Sequence, residues 1–325
     1  MRSFLERLLG ENQYRQIHII TLDHVIAYRM SKKNKISVTK SANNLSAKPS
    51  HNHDNEKNYL LKEGMPVLPL VDLGVFTEDF HIIKAKYNKY KQINSFLKNI
   101  VSSLNEDQNT SGALNIVEFG CGKSYLTFVL YYYFMLIKKI DVKITGYDKD
   151  KYVVDYCNSV AKKYNYVNLN FIEGDISKVM LYQGNVDMIV TLHACDTATD
   201  YALHYAVKNN VKYIFSVPCC QQEVNSQLKQ LSKINRSGEY SLFLRYGLYK
   251  ERFSALLTDC IRCEILNDSG YYVDVVEFIG EENTPKNAMI RARYTGRRKK
   301  YSDDIRKLMS QFGIEHTLLK LMDSE

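Results

Sequence analysis

The chain has 325 residues, 45% hydrophobic and 25% charged, with a formal net charge of +8. That length buries a sizeable core and fits one main domain with an addition. No uninterrupted apolar run reaches the roughly 18 residues a membrane span needs. Seven cysteines without a secretory leader point to a reducing cytoplasm rather than a disulfide scaffold.

Residues 1–80 read as an amino-terminal accessory region. Helix-like apolar spacing and a strand-like patch, Ile17 to Leu22, share its first thirty residues. Residues 40–58 hold few apolar side chains and read as an exposed loop or linker. His51 and His53 within it are read as surface residues, not as metal ligands. Core material returns between Val67 and Gly74. From Lys84 to Val101, Tyr87, Tyr90, Ile93, Phe96, Leu97 and Ile100 recur at helical spacing, and this stripe is core rather than a cofactor box.

A strand around Ile116 and Val117 then ends in Glu118, followed by a turn with Gly120 and Gly122 and a helix from Ser124. Such a strand, turn and helix start receive nucleotide-like ligands at the carboxyl edge of a sheet. The dinucleotide fingerprint wants glycine at 125, where the chain has Tyr125, and the P-loop spacing fails as well. Glu118 suits a cation or an amine better than a pyrophosphate.

The second strand, VKITGYDKD, ends in Asp148, placed to accept hydrogen bonds from ribose hydroxyls. A third run, Val167 to Ile172, leads to Asp175, an acceptor for an adenine amine. The fourth, Val186 to Leu192, ends in His193-Ala-Cys195-Asp196, and the fifth, Val211 to Val217, ends in Pro218-Cys219-Cys220-Gln221. Helices are expected at 124–138, 150–164 and 197–209, so the pattern is one of parallel βαβ units. The last two strands, 271–279 and 287–294, are joined by GEENTPK, too short for a crossover, and must pair as an antiparallel hairpin.

Five parallel strands closed by such a hairpin resemble the class I S-adenosylmethionine-dependent methyltransferases from about residue 113 to 295. The resemblance implies a Rossmann-like α/β fold, a seven-stranded sheet with helices on both faces, behind an amino-terminal α+β extension. It places the methyltransferase domain at 81–295, with 296–325 as a basic helical tail. It implies S-adenosylmethionine as cofactor, its methionine end lined by Glu118, Gly120, Cys121 and Gly122, its ribose held by Asp148, and its adenine by Asp175. Lys149, Ile176 and His193 complete that expected set. The first motif departs from the common pattern at Lys123.

Reactive chemistry is expected after the fourth and fifth strands, where His193, Cys195, Asp196, Cys219, Cys220 and Gln221 converge. Of these, His193, Asp196, Cys219 and Cys220 are the catalytic candidates. His193 or Asp196 acts as general base or orients the nucleophile; a cysteine attacks a pyrimidine, as in RNA cytosine-5 methyltransferases, although only Pro218-Cys219 matches; or the cysteines fill the site as small hydrophobes. A zinc site of His193, Cys195, Cys219 and Cys220 meets the objection that adjacent cysteines make awkward geometry, so no metal is expected. Cys260 and Cys263 are read as core thiols in a helix, and Thr197 to Asp200 as a helix capping box.

His193 to Asp200 followed by Val217 to Gln221 is similar to the methyltransferase-domain family that includes methyltransferase-like protein 25 and bacterial relatives. Tyr90 to Leu97 and the Asn283 to Asn287 turn extend the likeness. Eukaryotic tRNA 2′-O-methyltransferases with a CHHC zinc finger carry related segments, but here Asp196 replaces a glycine, Gln221 replaces a histidine, and the finger is absent. Clusters at Lys32–Lys35, Lys84–Lys91 and Arg291–Lys300 beside many tyrosines suit a polyanion. RNA is therefore the expected acceptor, ahead of a protein or small molecule. The competing classes are a non-catalytic RNA-binding module with a degenerate methyltransferase fold and a dinucleotide oxidoreductase. Neither acceptor atom nor oligomeric state is legible in the sequence.

Overall fold

The computed structural model describes residues 16–20, 24–31, 35–42, 59–105, 113–177, 184–192, 194–234, 244–277, 287–299 and 303–324. Contacts divide the chain into two units, Met1–Lys57 and Asn58–Glu325.

The first unit contains an antiparallel sheet of β1 (Gln16–Ile20), β2 (His24–Met30) and β3 (Ile36–Ala42), in that order. Alternation puts Ile17, Ile19, Ile26 and Met30 around the buried Tyr28. The strand runs to Ala42, beyond the expected start of the linker at residue 40. His51 and His53 lie outside the described residues.

In the second unit, α1 (Leu68–Asp72) and α2 (Tyr87–Asn105) precede β4 (Leu114–Phe119). Next come α3 (Tyr125–Tyr131), continued by a π-helical turn to Ile137, then β5 (Val142–Asp148) and α4 (Lys151–Lys163). β6 (Leu169–Glu173), β7 (Met188–Thr191), α5 (Thr197–Lys208), β8 (Tyr213–Ser216) and α6 (Gln222–Ile234) continue the alternation. α7 (Gly247–Asp268), β9 (Tyr271–Glu277), β10 (Ala288–Tyr294), α8 (Asp303–Phe312) and α9 (Thr317–Asp323) complete it.

The sheet order is β6-β5-β4-β7-β8-β10-β9. β4 to β8 are parallel, and β10 runs antiparallel between β8 and β9. Period-two alternation sends neighbouring side chains to opposite faces. Met188 and Val190 enter one core with Ile93, Phe96 and Phe128. Ile189 and Ile214 enter the other with Leu203, Ile261 and Ile265. A sheet covered on both faces explains the near-continuous apolar runs of its central strands.

Two boundaries differ from the sequence expectation. Leu61, Val67, Leu70 and Phe76 pack into the first core with α2, so the division falls after Lys57 rather than near residue 80. The expected basic tail is folded: Ile305, Met309 and Phe312 of α8 and Leu318 and Leu319 of α9 are buried in the second core. Among the described residues, no helix is long and apolar enough to cross a membrane.

Candidate active site

The carboxyl ends of β4 and β5 build the first half of the site. After Phe119 the chain takes three left-handed residues in five, Gly120 (φ 68), Gly122 (φ 52) and Ser124 (φ 57). Glycine accepts that region without cost, whereas Ser124 is a strained position. Ser124 is buried, and its hydroxyl donates to the Gly122 carbonyl at 3.1 Å. The backbone N–H of Gly122 donates to Asp148 Oδ2 at 2.8 Å, tying the turn to the end of β5. Asp148 Oδ1 accepts the N–H of Asp150 at 3.0 Å, and Asp150 caps α4. Each Asp148 oxygen keeps a lone pair for a further donor.

Glu118 is buried and accepts a hydrogen bond from the Thr127 hydroxyl. Burial pushes its carboxyl up to about 7 despite that bond, and the charge of Asp148 adds to the rise. It faces a cavity of about 220 Å³ lined also by Lys89, Cys121, Lys123, Tyr125 and Leu192. Burial and the charge of Lys86 hold the Lys89 ammonium below its usual range, while Glu118 opposes that shift. An acid and an ammonium on one cavity match the zwitterionic end of an amino acid. In the sequence Lys89 reads only as one cation of the Lys84–Lys91 cluster, because nothing local shows that the helix start swings it onto the Glu118 cavity.

The other expected cofactor residues divide. Cys121 is buried and its thiol is pushed well above the ordinary range by burial, which leaves it an apolar wall. Asp175 is exposed, with Oδ1 accepting from the N–H and hydroxyl of Ser177 at 3.0 and 2.7 Å. Lys149 is exposed, and Ile176 packs against the second core.

The ends of β7 and β8 build the second half. His193 lies outside the described residues. Cys195, Cys219 and Cys220 come together, with their sulfur atoms all within 4.8 Å and Cys195 Sγ 2.8 Å from Cys219 Sγ. Cys195 is exposed and the other two are partly buried, so these thiols are not fillers of a sealed core. Asp196, a catalytic candidate from the sequence, is engaged in structure. Its carboxylate accepts the N–H of Glu223 at 2.9 Å, capping α6, while its own N–H donates to the Cys220 carbonyl at 3.2 Å. Gln221 turns away and donates to Asp259 at 3.1 Å.

Two further sequence readings are corrected. Asp200 is not part of a capping box: it is buried, and Arg262 donates to it from Nε and Nη2 at 2.8 and 2.9 Å. Nη1 of the same guanidinium donates to Asp259 at 3.0 Å and Nη2 to the Asp196 carbonyl at 2.9 Å. Cys260 is exposed rather than in the core, and it lines, with Cys263, a cavity of about 630 Å³. That cavity touches Pro218 and Gln221 on one side and Leu248, Leu256 and Val275 on the other.

The cationic clusters also separate. Lys84, Lys86, Lys123 and Lys149 lie on elements at the carboxyl edge of the sheet, with the exposed Tyr87 and Tyr152. Arg298 pairs with Asn210 at 2.9 Å, at the amino edge beyond the end of β10, and Arg291 pairs with Asp274. The Arg297–Lys299 run is therefore on the opposite edge from the site.

Residues 88–227 match the family described as a methyltransferase domain, from the start of α2 into α6. The match and the strand order β6-β5-β4-β7-β8-β10-β9 together give this region the Rossmann-like fold of a methyltransferase domain. Solved structures similar to the chain include the methyltransferase PaMTH1 of Podospora anserina, at 14% identity and TM-score 0.35, covering 56% of this chain and 71% of that one. A putative S-adenosylmethionine-dependent methyltransferase of Methanococcus maripaludis, at 12% identity and TM-score 0.35, covers 65% and 87%. A methyltransferase of Aquifex aeolicus, at 16% and 0.34, covers 59% and 87%. No curated protein sequence matches the chain.

Proposed function

We propose that the protein methylates RNA, using S-adenosylmethionine held between the glycine turn and Asp148. When bound, the cofactor supplies an electrophilic methyl group on a sulfonium. Glu118 and Lys89 offer opposite charges to its amino-acid end, and Asp148 offers carboxylate acceptors to its ribose. Catalysis then rests on holding donor and acceptor in line, which the rigid turn supports.

The observation that carries RNA as acceptor is the shared edge of Lys84, Lys86, Lys123 and Lys149 with Tyr87 and Tyr152. Phosphates pair with the ammonium groups and bases stack on the rings. Incubation with tritiated S-adenosylmethionine and RNA from cells lacking the gene tests this: label enters RNA. Unlabelled RNA with labelled metabolites would instead favour the second reading, a small-molecule acceptor. That reading draws on the 630 Å³ cavity, whose charged lining is Glu251, Asp259, Glu264 and a single arginine, Arg252.

A further inference from the structure

The three cysteines after β7 and β8 share a feature that the methyl-transfer reading does not use. Two loops, from strands adjacent in the sheet, deliver three sulfur atoms into one small volume. We infer that Cys195, Cys219 and Cys220 form a thiolate site for a soft divalent ion, zinc, with one position left for an exchangeable ligand.

The geometry supports an ion over a chance cluster. A Zn–S bond of about 2.3 Å and tetrahedral angles put neighbouring sulfurs about 3.8 Å apart. The three sulfurs here lie within 4.8 Å of one another; the closest pair, at 2.8 Å, is too long for the about 2.0 Å of a disulfide and opens by about 1 Å to take the ion. A Cys195–Cys219 disulfide would also engage only two of the three. The sequence-based objection to adjacent cysteines is answered by the fold, because Cys219 and Cys220 both reach Cys195.

The surroundings hold the loops in register without the ion. Asp196 bridges them, its N–H to the Cys220 carbonyl and its carboxylate to the Glu223 N–H. Arg262 fixes the Asp196 carbonyl from behind. Ligands locked by hydrogen-bonded partners are the usual support of a metal centre. Three protein ligands and an exposed side at Cys195 match zinc sites that keep an open position.

The test uses the full chain, purified with reductant and dialysed against metal-free buffer. Zinc by mass spectrometry should be roughly one equivalent per chain. It should fall at least about tenfold in Cys219→Ser and in Cys195→Ser. Asp148→Ala should keep its zinc, which separates failure of this site from failure of the cofactor reading. Cobalt(II) added to metal-stripped wild-type protein should give thiolate charge-transfer and tetrahedral d–d absorption, a readout that needs neither acceptor nor variant. Metal-free wild-type protein that is spectroscopically silent with cobalt overturns the inference. So do serine variants that retain zinc.

Discussion

Arg262 and Asp200 face each other through two parallel hydrogen bonds, and neither side chain reaches solvent. The guanidinium also serves Asp259 and the Asp196 carbonyl, so one cation joins α7, α5 and the loop after β7. Removing one partner of such a pair leaves a buried charge without compensation. Arg262→Ala is expected to cost ~3–5 kcal/mol in urea unfolding. Arg262→Lys should recover only part of that, because an ammonium cannot form the parallel pair. Equal stability of either variant with wild type would show the network to be dispensable.

Asp148 links the glycine turn to β5 and is offered to the cofactor ribose. Hydrogen bonds to a charged group are worth ~1.5–3 kcal/mol, so Asp148→Ala should weaken S-adenosylmethionine binding ~10–100-fold in calorimetry. Unchanged affinity would remove Asp148 from the site.

Burial pushes the Glu118 carboxyl up to about 7 in the folded chain, from 4.5 as its ordinary value. Its raised value favours the protonated form in the fold, so the contribution to stability is greatest at low pH and declines as pH rises from about 4.5 through 7. The full decline is of order 3 kcal/mol. Urea melts at pH 5 and pH 8 should show it, and Glu118→Gln should flatten it. Cofactor binding follows the opposite sign: the ionised carboxylate attracts a cation, so wild-type affinity should rise with pH through 7. A pH-independent affinity in wild type would argue against contact between Glu118 and the cofactor's charged end.

Gly146 sits in β5 beneath the turn. A Cβ there would lie 2.7 Å from the Phe171 ring and 3.2 Å from Cys121 Sγ. Gly146→Ala is expected to destabilise by ~1–3 kcal/mol and to weaken cofactor binding through displacement of Cys121. A thermal melt matching wild type would mean that the Phe171 ring swings aside freely.

The elements that the sequence announced are those governed by local pattern. Apolar runs ending in Glu118, Asp148 and Cys219 marked strands because their residues are buried on both faces, and Tyr90 to Ile100 marked a helix by spacing. What stayed hidden depends on partners far along the chain. Asp196 precedes α5 yet caps α6, whose N-terminus is brought beside it only when β7 and β8 pair. Thr197 to Asp200 looks like a capping box because Arg262, sixty-two positions on, is invisible locally. The Ile305, Met309 and Phe312 stripe was legible, but the flanking basic residues drew attention to charge. Cys195 and Cys219 lie on different loops, and only sheet order makes them neighbours.

The placement of β10 sets an order of assembly. Its seven residues fill the gap between β8 and β9, so among the described residues β9 has no other strand to join. A nascent chain emerging from the ribosome can pair β4 through β8 as each appears, but β9 must wait unpaired until residues 288–294 arrive. Ribosome-held chains ending before residue 288 would present the β8 edge and all of β9 to the surroundings, which makes the last third of synthesis the interval of greatest exposure to aggregation.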